Sequence, residues 1–113
     1  MREIYISEEC EKYILEESSE RVRSKFKYLL EVIEEQKLVH TSFVEKLTNT
    51  NYYELKIKAE NQIRVIIFTI DNQNFIESNQ IILLNGFLKR TNKDYKKAIK
   101  IADNLMKKYE LWE

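Results

Sequence analysis

Three cations and a tyrosine in the second half of this 113-residue chain stand where they could act on a phosphate. Arg64 enters "IRVIIFTI" (63–70), a run otherwise made of apolar side chains and Thr69. A charge in such a run has to reach water, meet a carboxylate or serve a ligand site, because an unpaired buried charge is too costly to keep. Two readings are open: Arg64 leaves the strand's start for water, pairing Glu54 across a hairpin, or it is an anion-binding arginine on a sheet face. The preceding strand, "NYYELKIKA" (51–59), alternates with period two. Tyr53, Leu55 and Ile57 fall on one face, and Glu54, Lys56 and Lys58 on the other. The two lysines are either ordinary solvated strand residues or the second part of a cationic cluster with Arg64.

Lys89 and Arg90 come just after a third apolar strand and just before a helix N-terminus, which itself attracts phosphate. Tyr95 lies in the first turn of that helix, on its apolar stripe. Core packing is the plain reading, yet a phenol there can bury its ring and present its hydroxyl at the sheet edge. A sheet face lined by Lys, Arg and Lys suits a phosphodiester backbone, since each cation neutralises a phosphate and releases counterions.

Other chemistries find little support. There is no Gly-rich phosphate loop, HExxH pair or nucleophile elbow. His40 is the single histidine and has no ligand cluster beside it, so neither a metal nor a cofactor is expected. Cys10 is alone, which leaves no disulfide framework. The apolar runs are too short to span a membrane and the N-terminus lacks a signal-peptide pattern, so a cytoplasmic protein is expected.

The net charge is zero, from 19 basic and 19 acidic residues, but the distribution is uneven. Residues 1–50 carry 8 basic and 11 acidic groups, while residues 51–113 carry 11 and 8. Within 86–100, six basic residues face Asp94 alone. That bias suggests a polyanion site in the C-terminal half, although Lys96, Lys97 and Lys100 read equally as a solvated helix face.

The elements that must position these groups follow from periodicity. "REIYI" (2–6) reads as a short strand, and Ser7 as the N-cap of a helix running to about Glu17 that buries Cys10, Tyr13 and Ile14. After a break at Ser18–Ser19, Val22, Phe26, Leu29, Leu30 and Ile33 form one stripe of a second helix. The two helices should make a hairpin over one sheet face. Strands follow at 51–59, 63–70 and 81–86, the middle one apolar on both faces and therefore central. A last helix, about Asn92–Tyr109, opens on Thr91 with Asp94 in a capping-box position. Leu111 and Trp112 read as a tail. Gly86, the only glycine in a chain without proline, is expected to end its strand and turn the chain. The order β-α-α-β-β-β-α describes an α+β fold, one domain over 1–113, with helices packed on a small, mostly antiparallel sheet.

"YYELKIKAENQIRVIIF" followed by "IILLNGFLKRTNKDYKKAIKIADNLMKKY" resembles the RelE/ParE toxin superfamily, in particular its HigB-like, phage-derived Gp49-like branch. The resemblance covers roughly residues 20–109. It implies a RelE-like fold and the toxin of a type II toxin–antitoxin system: a metal-independent endoribonuclease that cuts mRNA in the ribosomal A site by attack of the substrate's own 2′-hydroxyl. By position it assigns transition-state stabilisation to Arg64, further catalytic roles to Lys56, Lys89 and Tyr95, and RNA contacts to Lys58, Arg90 and Lys93. The implied partners are a helix-turn-helix antitoxin of HigA type, the ribosome and mRNA, with DNA reached only through the antitoxin. Two rival functions remain: a ParE-like gyrase poison without nuclease activity, and an inactive phage-derived relative that only binds a partner. Arg64→Ala is expected to remove toxicity and leave the chain folded.

Overall fold

The computed structural model describes residues 1–111; Trp112, and with it the end of the expected tail, lies outside them. The chain runs β1 (Glu3–Ile6), α1 (Glu8–Glu16), α2 (Glu20–Glu35), β2 (Val44–Lys46), β3 (Tyr52–Lys58), β4 (Gln62–Thr69), β5 (Gln80–Leu88) and α3 (Asn92–Lys108). The five strands form one sheet in the order β1-β5-β4-β3-β2. β1 runs parallel to β5 and every other pairing is antiparallel. The α+β architecture expected from the sequence is present, with β2 as an additional strand at the edge.

The helix boundaries are set by local chemistry. Ser7 and Ser19 sit in extended backbone, and each side-chain oxygen accepts from an amide of the first turn, Cys10 N and Val22 N. Each such cap contributes about 1 kcal/mol by satisfying a donor that has no intrahelical partner. Thr91 and Asp94 complete a reciprocal capping box at the start of α3.

The sheet separates two cores. On one side, α1 and α2 place Cys10, Ile14, Val22, Phe26, Leu29 and Ile33 against Leu55, Ile57, Val65 and Ile67. On the other, α3 lays Ala98, Ala102, Leu105 and Met106 over Ile66, Ile82 and Leu84. β4 is therefore covered on both faces, which is why its sequence is apolar at both parities. Burial in the first core pushes the Cys10 thiol up to about 12, so it behaves as a small apolar side chain and not a nucleophile.

One irregularity decides which residues of β5 face α3. Ile67 lies opposite Leu83 while Ile66 lies opposite Asn85, so Leu84 is an extra residue in the ladder. Leu84 packs in the α3 core, and the Asn85 amide donates to the Ala98 carbonyl of α3 at 3.1 Å. Two consecutive residues thus share the α3 side, and beyond this bulge the alternation is inverted. Phe87 falls opposite Arg64 on the α3 side, and Gly86 turns to the α1 side.

Gly86 does not act as expected. β5 continues through it to Leu88, and its φ is not positive, so it neither ends the strand nor makes a turn. Its missing side chain leaves room for Tyr13 of α1: a Cβ would stand 2.5 Å from Tyr13 Cδ2 and 3.2 Å from Cγ. The glycine is a packing device that lets an aromatic ring lie directly on the sheet. Gly86→Ala should destabilise the chain by about 1–3 kcal/mol through overpacking. Chemical denaturation of the single variant and of the Gly86→Ala, Tyr13→Leu pair checks this. No recovery in the pair would refute the contact as the cause.

Candidate functional site

The cations named from the sequence meet at one end of the α3 side of the sheet. Lys56 pairs with Arg64 across β3–β4, and Arg64 with Phe87 across β4–β5, so the three form one row. The next row outward holds Lys58 opposite Gln62, and the Lys89 amide donates to the Gln62 carbonyl at 2.8 Å. Because of the bulge, Lys89, like Phe87, comes to the α3 side, and its ammonium stands 5.8 Å from the Tyr95 ring centroid. The Tyr95 ring in turn packs edge-on against Phe87, with centroids 5.4 Å apart. Lys56, Lys58, Arg64, Lys89 and Tyr95 are thus brought together. Arg90 and Lys93 are exposed beside them, at the entrance to α3.

The centre of this group is a carboxylate that the sequence marked only as a pairing partner. Glu54 Oε1 accepts from the Tyr95 hydroxyl at 2.6 Å and lies 3.0 Å from Arg64 Nε. The Arg64 Nε–H is not aligned as a hydrogen bond, so this contact is an ion pair. The other guanidinium nitrogens donate to the Ile63 carbonyl and, at 3.0 Å, to Gln62 Oε1. Arg64 is 4% exposed and Glu54 6%. Of the two readings of Arg64, pairing with Glu54 is observed, but inside the protein and not at its surface. The Tyr95 phenol is pushed up to about 12 by burial and by Glu54, partly offset by Arg64. It is a protonated donor at neutral pH, not a base.

Glu45 of β2 lies directly opposite Glu54. Like charges in such register repel, and each is matched by a cation: Glu54 by Arg64, and Glu45 by the Lys56 ammonium. The Lys56 ammonium, with its hydrogen bond, holds the Glu45 carboxyl below its usual range. Among the described residues, Lys58, Lys89 and Arg90 have no ion-pair partner. The sheet end therefore presents five cations against two carboxylates, with the unpaired ones outermost.

His40 lies in the turn before β2, where its Nδ1 accepts from the Ser42 amide at 2.9 Å. No group of three or more His, Cys, Asp or Glu among the described residues could hold a metal ion. No helix among them is long and apolar enough to cross a membrane.

Compared with known families, residues 14–107 match the family described as phage-derived protein Gp49-like. The chain belongs to that family. Gp49-like proteins fall within the RelE/ParE-like toxin superfamily, and the matched segment contains the whole cationic sheet end and nearly all of α3. Membership makes this Gp49-like chain toxin-like and implies an antitoxin partner. No curated protein matches it.

Proposed function

We propose that this Gp49-like protein is a metal-independent endoribonuclease of the HigB type, cutting mRNA under translation in the ribosomal A site. The observation that carries the reading is the shared carboxylate: Glu54 held between Arg64 and the Tyr95 hydroxyl, with Lys56, Lys58 and Lys89 around it. A phosphodiester arriving at the sheet end meets the unpaired Lys58 and Lys89 first. Next it meets the outer edge of the Arg64 guanidinium, held only by the exposed Gln62 side chain, which can yield.

In the reaction the 2′-oxygen forms a bond to phosphorus and the bond from phosphorus to the 5′-oxygen breaks, leaving a cyclic phosphate and a 5′-hydroxyl. Glu54 is the nearest group able to take the 2′ proton. Arg64, Lys56 and Lys89 neutralise the charge that builds on the phosphorane oxygens. The protonated Tyr95 phenol is the donor within the group. Arg90 and Lys93, at the entrance to α3, hold the adjoining stretch of the backbone. A helix-turn-helix antitoxin of HigA type is the proposed neutralising partner, and it would work most simply by covering this end of the sheet.

The test is a reconstituted translation system with mapping of transcript ends. The expected result is cleavage inside reading frames with 5′-hydroxyl products, reduced on the order of 10²-fold by Lys89→Ala. Intact mRNA together with inhibited gyrase supercoiling would replace this reading with a gyrase poison. Intact mRNA with no effect on growth would replace it with a binding-only relative.

A further inference from the structure

The zero net charge conceals a molecule polarised across its sheet. Residues 8–35, which form α1 and α2, carry nine acidic and five basic residues, or −4. α3, on the opposite side, carries six lysines and two aspartates, or +4. Both aspartates are turned to other duties. Asp94 accepts from the Arg90 and Thr91 amides at the cap, and Asp103 accepts from the Tyr52 hydroxyl at 2.5 Å.

The lysines themselves are arranged. At 3.6 residues per turn, Lys93, Lys96, Lys97, Lys100 and Lys107 fall within roughly 100° of the helix circumference, over a length of about 21 Å. All five are exposed, and none is in an ion pair among the described residues; only Lys108, outside the arc, is paired, with Glu9. The buried face of the same helix is taken up by the core through Ala98, Ala102, Leu105 and Met106. The arc begins beside Lys89 and Arg90, so it continues the cationic sheet end along the outside of the protein. A solubilising surface would carry both signs in comparable number, as α2 does with four of each.

We propose that the outer face of α3 is a docking surface for the phosphate backbone of structured RNA, separate from the cleavage centre. This rests on the reading of the protein as acting on RNA. Lysine ammoniums are point charges suited to sequence-independent backbone contacts, and they would orient the molecule so that the sheet end faces its single-stranded substrate. The acidic α1–α2 side is repelled from the same polyanion, so the protein's charge separation turns the correct face inward.

The experiment measures binding to a short fluorescein-labelled RNA duplex by anisotropy across a salt series. The duplex carries no translated message, so binding is read whether or not the protein cleaves mRNA. The combined variant Lys97→Gln, Lys100→Gln and Lys107→Gln, with unchanged circular dichroism, should weaken binding on the order of tenfold at low salt. It should also flatten the slope of log affinity against log salt by about 2. A matched variant on the acidic side, Lys12→Gln, Arg21→Gln and Lys27→Gln, removes the same charge and should change affinity by less than about twofold. The combined variant Lys97→Arg, Lys100→Arg and Lys107→Arg should preserve binding. Equal losses in the two glutamine variants, an unaffected α3 variant, or tighter binding to a DNA duplex of the same sequence would each overturn the proposal.

Discussion

Arg64→Ala should cost about 3–5 kcal/mol of stability as well as abolishing cleavage, because it strands Glu54 as an unpaired charge inside the protein. This differs from the expectation drawn from sequence, in which the alanine variant stays folded. The difference is burial: at 4% and 6% exposure, neither partner can turn to water when the other is lost. Glu54 would keep only the Tyr95 hydroxyl as a donor. A thermal melt of Arg64→Ala, Glu54→Gln and the two combined tests the account. The combined variant should recover most of the loss, and a loss of equal size in the Glu54→Gln background would exclude the ion pair as its source. Arg64→Lys separates folding from chemistry, since it retains the charge but not the planar fork that bridges Glu54 and Gln62. It should remain folded and lose cleavage on the order of 10²-fold.

Arg2→Ala should be strongly destabilising although it lies remote from the candidate site, costing about 3 kcal/mol. Arg2 is 5% exposed and has no carboxylate partner among the described residues. Its guanidinium instead donates to the carbonyls of Ile33, Gln36 and Lys37 at the end of α2, and to that of Phe75 in the β4–β5 connection. The guanidinium carbon also stands 4.2 Å from the Phe75 ring centroid. One side chain thus caps α2, where the helix dipole favours a cation, and ties that end to a loop more than thirty residues away. Hydrogen bonds to a charged donor contribute about 1.5–3 kcal/mol each, less where the carbonyls can turn to water. Urea denaturation measures the loss. Arg2→Lys should recover only part of it, because a single ammonium cannot reach four carbonyls in the fork arrangement; full recovery by lysine would refute the clamp.

Neither arginine announced its role by spacing. Arg64 stood out in an apolar run, so its importance was legible, but whether water, a carboxylate or a ligand met it depended on Glu54 across the ladder and Tyr95 from α3. Arg2 lay at the start of a short strand and gave no signal, since its partners are backbone carbonyls, which no residue pattern encodes. β2 was equally silent: three residues cannot show an alternation, and Val44–Lys46 is a strand because β3 offers it a partner.

The local elements were determined by the sequence itself. Apolar stripes at period 3.6 and alternation at period two marked three helices and four strands, and Ser7, Ser19 and the Thr91–Asp94 box set where the helices begin. These signals are legible because each lies within a few residues of the backbone it governs. The tertiary structure alone decided what the bulge at Leu84 does, since an extra residue in a ladder exists only relative to the facing strand. That one residue reverses the parity of β5, sends Gly86 to Tyr13, and brings Phe87 and Lys89 to the side of Arg64. The cationic residues could be read along the chain, but their convergence on Glu54 comes from strand register and the packing of α3.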